Sequence, residues 1–121
     1  FLMADDEADE TRWLGICGFY RQPGARTSHV GWLWGLQVTP AARRGGVASA
    51  LVDALILELR QIEGLAQVQA RVAVDNVAAR CVFERAGFEQ IALLPRAIRI
   101  DMLDIDEVLL CKRVDGATGT L

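Results

Sequence analysis

Leu36 to Leu51 reads Leu-Gln-Val-Thr-Pro-Ala-Ala-Arg-Arg-Gly-Gly-Val-Ala-Ser-Ala-Leu: an apolar run, a proline turn, paired arginines and glycines, then a helical pattern. A strand, a basic glycine loop and a helix in that order build an anion site from backbone. The first N–H groups of a helix have no intrahelical partner and add to the positive end of its dipole, so they bind phosphate readily. Arg43 and Arg44 supply charge, and Gly45 and Gly46 let a ligand approach the backbone without Cβ atoms in the way. Taken alone, the segment fits a solvated strand-to-helix turn equally well. A dinucleotide-binding fold fails on detail, because Gly-x-Gly-x-x-Gly is absent and the strands ahead read as antiparallel.

Few other residues offer chemistry. Cys17, Cys81 and Cys111 are an odd number of thiols with no short metal spacing, and His29 is the only histidine, which argues against a zinc site. Scattered thiols of this kind fit a reducing, cytoplasmic setting and serve as small buried hydrophobes. Tyr20 is the only tyrosine and reads as an aromatic packed on a sheet. His29, near a strand start, reads as a surface residue, and Asp106 and Glu107 as solvated carboxylates. A net charge of −3 disfavours nucleic acid as a partner, and the arginine pair is a local island suited to a small anion.

The elements that must position the loop follow from pattern. The 121 residues, 52% hydrophobic, suit one compact core, and Asp53 and Glu58 interrupt the longest apolar stretches, so no segment spans a membrane. Phe1–Ala4, Trp13–Tyr20 and His29–Val38 read as strands, with Asp5–Glu10 and Gln22-Pro23-Gly24 as turns. Val30, Trp32, Trp34, Leu36 and Val38 share one face by the two-residue period, and a bulge near Gly35 would swap the faces beyond it. Val47–Ile62 is the strongest helix, with Val47, Leu51, Ala54, Leu55 and Ile62 as its stripe and Gly64 as its stop. Gln67–Val74 alternates as a half-buried strand. Asn76 caps a second helix, Val77–Ala86, which Gly87 ends. Phe88–Leu94 and Asp106–Arg113 read as closing strands joined through a mixed loop. Val114–Leu121 reads as a flexible tail, which leaves residues 1–113 as a single domain. The class is α+β, a mostly antiparallel sheet with helices on it.

Two segments together carry a resemblance. Arg43-Arg44-Gly45-Gly46-Val47-Ala48 fits Arg/Gln-x-x-Gly-x-Gly/Ala, and Asn76-Val77-Ala78-Ala79-Arg80-Cys81-Val82-Phe83-Glu84-Arg85-Ala86-Gly87-Phe88 fits Asn-x-x-Ala-x-x-aliphatic-aromatic-x-x-x-Gly-Phe. In this order and spacing they resemble the GNAT superfamily of N-acetyltransferases, over most of the chain from Trp13 to Arg113. The ending, Pro95-Arg96-Ala97-Ile98 and then Asp106-Glu107-Val108-Leu109-Leu110, looks like many bacterial members.

The resemblance implies a twisted sheet with splayed middle strands, acetyl-CoA as cofactor, and direct acetyl transfer to a small-molecule or peptide amine. It implies that backbone groups of Leu36 and Val38 pair with the pantetheine arm, as an added strand would. Amides of Arg43, Arg44, Gly45, Gly46, Val47 and Ala48 would hold the pyrophosphate. Asn76 would contact the arm, with Arg80 or Arg85 near the nucleotide, and an N–H near Val38 would stabilise the oxyanion. Family members often place a tyrosine acid where Phe83 stands, and phenylalanine donates no proton. Some relatives use a glutamate base on the strand before the loop, where this chain has Trp32. General acid and base are therefore unassigned, and a non-catalytic CoA-binding or structural domain is the alternative reading. Counterparts of the family's N-terminal strand and first two helices are not found in the sequence. An incomplete chain or a homodimer is thus expected to cover the Trp32/Trp34 surface.

Overall fold

The structure is a computed structural model that describes residues 2–6, 9–38 and 46–115. Its elements in chain order are β1 (Leu2–Asp6), β2 (Asp9–Arg21), β3 (Val30–Val38), α1 (Val47–Leu59), β4 (Gln67–Ala73), α2 (Val77–Arg85), β5 (Glu89–Ile100) and β6 (Leu103–Arg113). The six strands form one sheet in the order β1-β2-β3-β4-β6-β5. Every pairing is antiparallel except β3 with β4.

A parallel pair needs a crossover, and α1 supplies it; α2 then carries the chain from β4 over β6 to β5. Both crossovers move the same way along the sheet, so right-handed connection puts both helices on one face. One buried cluster results. Leu51, Val52, Leu55, Ile56 and Leu59 of α1 and Phe83 of α2 join Leu33, Val68, Ala70, Val72, Val108 and Leu110 of the strands.

α1 is amphipathic by spacing, but its stripe differs in part from the expected one. Leu51 and Leu55 are buried, whereas Ala54 faces solvent and Ile62 lies beyond the helix. The helix ends at Leu59 because the following N–H groups turn to tighter bonds, Gln61 to the Glu58 carbonyl and Ile62 to that of Leu59. α2 starts where Asn76 accepts from the Ala79 N–H at 3.2 Å. It stops at Gly87, whose φ of 98° favours glycine, and the Phe88 N–H returns to the Phe83 carbonyl at 3.0 Å.

The expected bulge at Gly35 is present. Ile16 pairs with Gln37 and Gly18 with Trp34, so β3 holds one extra residue there, and Gly35 has φ 63°. The faces swap as a consequence. Leu33 is buried against the helices and Trp34 points away from them, 54% exposed, while Leu36 has come round to pack against the core. Leu36 therefore does not share a face with Trp32 and Trp34.

Three expectations need correction. Most of Asp5–Glu10 is strand: Asp5 and Asp6 close β1, and Asp9 and Glu10 open β2. The mixed loop after Leu94 is also strand. β5 and β6 form a long hairpin turned at Asp101 and Met102, whose φ values of 50° and 66° are those of a two-residue turn matched to strand twist. Neither residue is glycine or asparagine, so the sequence carries no hairpin signal. Val114 is buried and donates to the Ala66 carbonyl at 2.9 Å, which ties the start of the supposed tail to the sheet. Residues 116–121 lie outside the described residues.

Leu110 is fully buried at the centre of the cluster. Leu110→Ala is expected to lower stability by about 2–5 kcal/mol, read by denaturant unfolding at unchanged m-value.

Candidate active site

The site is built on an interruption in the sheet. β3 and β4 pair only from Val30↔Gln67 to Leu33↔Ala70. Beyond that point β3 runs on to Val38 and β4 to Ala73 without partnering each other. Two strand edges therefore face a gap in the middle of a sheet, the place where a ligand with amide groups can add as a strand. Leu36 and Val38 lie on this stretch of β3.

α1 begins at Val47, after β3 has ended at Val38 beyond its last pairing with β4. Its cap residue, Gly46, has φ 76° and, being glycine, brings no side-chain cap of its own. The first helical bond runs from the Ala50 N–H to the Gly46 carbonyl, so the N–H groups of Val47, Ala48 and Ser49 precede the ladder. Among the described residues, a Cβ built at Gly46 would meet nothing within 4 Å. Strand edges can receive an amide-bearing chain, and the first N–H groups of a helix can receive phosphate. Arg43, Arg44 and Gly45 lie outside the described residues.

The second motif is placed with less direct chemistry. The Asn76 side-chain oxygen accepts from the Ala79 N–H, so on the helix its established duty is the cap. Arg80 donates from Nη1 to the Val74 carbonyl at 2.9 Å and so fastens α2 to the end of β4. Arg85 occupies the last turn of α2 and is exposed. Phe83 is only 4% exposed and packs edge-on against Phe88, ring centroids 5.1 Å apart. It lines the core with an apolar ring and offers no proton donor.

Candidates elsewhere are dispersed. His29 is exposed at the closed end of the β3–β4 pair, where its carbonyl accepts from Ala66 and Gln67. Tyr20 is half exposed on β2 opposite Trp32, whose indole N–H donates to Gln22 Oε1 at 2.8 Å. Burial pushes the Cys17 thiol up to about 11, and burial also raises Cys111 against a Gln69 hydrogen bond. Neither suits a covalent acetyl-cysteine route, which requires a thiolate. Among the described residues no cluster of His, Cys, Asp or Glu could hold a metal ion.

Two acidic residues read from sequence as solvated are engaged. Asp106 Oδ1 accepts from the Arg96 N–H at 2.8 Å, where Arg96 has φ 51° in the irregular stretch of β5 between Leu94 and Ile98. Glu107 lies 3.0 Å from Arg71 of β4. Sequence reasoning missed this pair. Its one available signal was the polar alternation Gln67, Gln69, Arg71 on what proves to be a central strand.

A family model described as the acetyltransferase (GNAT) family matches residues 1–88. Mycothiol acetyltransferase of Kocuria rhizophila is 37% identical over 91 residues, covering 74% of this chain and 30% of that protein. The GNAT-family acetyltransferase of Streptococcus pneumoniae superposes with a TM-score of 0.80 at 23% identity, over 84% of this chain and 61% of that one. Arabidopsis thaliana NAA60, solved in complex with acetyl-CoA, gives a TM-score of 0.74 at 17% identity, over 88% of this chain and 69% of that one. The chain belongs to the GNAT acetyltransferase family, and it spans about three-tenths of the length of the mycothiol acetyltransferases it matches. No helix among the described residues is long and apolar enough to cross a membrane.

Cys81 is the exposed thiol, and Cys17 and Cys111 are buried. A thiol-alkylating reagent at pH 8 is expected to modify the native protein at Cys81 first, and all three cysteines only after unfolding; mass spectrometry of timed samples reads the order.

Proposed function

We propose that this chain is the acetyl-CoA-binding and catalytic part of an N-acetyltransferase that moves an acetyl group directly to an amine. The interrupted β3–β4 pairing carries the reading, because it leaves strand edges without each other in mid-sheet, on the stretch of β3 that leads toward the start of α1. Backbone of Leu36 and Val38 would hold the pantetheine arm, and the amides from Gly46 to Ala48, with Arg43, Arg44 and Gly45, the pyrophosphate. Asn76 would add a contact from its amide nitrogen. The bound thioester supplies an activated acetyl carbonyl, and an N–H near Val38 would stabilise charge on its oxygen.

Phe83 makes an acid-free departure part of the reading. A thiol pKa of roughly 8.5 leaves thiolate a workable leaving group. The same buried phenylalanine favours a second reading, a domain that binds CoA without turnover. The reading also includes a cytoplasmic setting, in keeping with three unpaired cysteines, and a homodimer that covers Trp34.

Titration calorimetry with acetyl-CoA tests binding, and thiol release with a panel of amines tests turnover. Heat of binding with thiol release is expected; binding without release would favour the second reading, and no heat at millimolar ligand would end both. Arg43→Glu is expected to weaken acetyl-CoA binding about tenfold or more, the scale of a lost hydrogen bond to a charged group. Unchanged affinity would displace the pyrophosphate from this loop.

A further inference from the structure

One ion pair lies on the helix-free face of the sheet, beside the point where β3 leaves β4. Arg71 is the first β4 residue past the last β3–β4 partners, Leu33 and Ala70. Its Nη2 sits 3.0 Å from Glu107 Oε1, and the two side chains are 48% and 12% exposed. Glu107 stands on β6 opposite Ala73, at the open end of β4. Its neighbour Asp106 is occupied with the Arg96 N–H, so the two adjacent carboxylates have different duties.

The direction of approach follows from the layers. Val68, Ala70 and Val72 of β4 are buried under the helices, which close that face. Arg71 alternates to the other face, as does Glu107. An arm that enters from the α1 N-terminus and threads between β3 and β4 presents its far end to this second face. An acceptor amine reaches the carbonyl from there, past a carboxylate that is largely withdrawn from water. An alkylammonium of pKa near 10 has to shed a proton before it can attack. A carboxylate so placed attracts the cation and accepts that proton.

We propose that Glu107 receives the ammonium group of the acceptor and takes its proton, and that Arg71 positions Glu107 for this. The proposal rests on the acetyl-transfer reading above. Glu107 accepts one proton from the ammonium group, and the freed nitrogen lone pair forms a bond to the thioester carbonyl carbon. The C–S bond then breaks and its electron pair leaves on sulfur as thiolate. The second proton passes from the acylated nitrogen through water to that thiolate, and Glu107 returns its own proton to solvent. Before substrate arrives, Arg71 pairs with this nearly buried carboxylate at 3.0 Å and so fixes where it stands. Being half exposed, it can turn to solvent as the ammonium takes its place.

The test compares acceptors that differ in whether they carry the proton. Wild type and Glu107→Gln are assayed by thiol release at pH 7.5 with a primary alkylamine and with an aromatic amine, which is already neutral. The expected result is an alkylamine kcat about a hundredfold lower in the variant, an aromatic-amine kcat within about threefold of wild type, and unchanged acetyl-CoA affinity by calorimetry. Equal losses with both amines, or no loss with either, overturn the proposal. Wild type inactive toward both amines overturns the acetyl-transfer reading instead. Where Glu107→Gln fails to fold, Glu107→Asp is read in the same way. A fall in its alkylamine-to-aromatic ratio supports the role, and an unchanged ratio overturns it.

Discussion

The divergence of β3 from β4 is the constraint on which the rest of the structure depends. Backbone N–H and C=O groups need partners, and a sheet satisfies them by continuous pairing. Among the described residues the only parallel pairing stops after four residue pairs. The sheet holds together because each of these strands has a complete antiparallel neighbour on its other side, β2 for β3 and β6 for β4. The opened edges are groups already shaped to receive another extended chain. The bulge at Gly35 adds to this, since it turns Leu36 back to the core while leaving the β3 backbone extended to Val38.

The helices make the opening one-sided. With α1 and α2 on the same face, their apolar stripes and the inward residues of the strands form one buried cluster. The opposite face keeps polar side chains, among them Gln69, Arg71 and Glu107. The long β5–β6 hairpin supports this arrangement, because β6 carries Glu107 and β5 backs it with its own ladder.

Much of the fold was legible from local pattern. The helix start at Val47, the cap at Asn76, the glycine stop at Gly87 and the alternation of β4 are properties of short windows, and the structure keeps them, whereas α1 ends at Leu59, well before Gly64. The bulge was readable because glycine inside an apolar run has few other uses. The hairpin at Asp101 and Met102 was not readable, since its residues lack turn chemistry and only the pairing of Ile100 with Leu103 makes the turn. The ion pair was hidden for a related reason. Arg71 and Glu107 are far apart in the chain, and burial of the carboxylate comes from strand neighbours that no local window contains.

The sequence by itself determined most of the elements and the family, because a glycine loop before a helix and a capped second helix are encoded in neighbouring residues. Only the tertiary structure decided which face is closed, where the sheet opens, that Phe83 belongs to the core, and that Glu107 meets Arg71. Those outcomes depend on strand order and register, which long-range packing selects, and side-chain identity alone does not specify them.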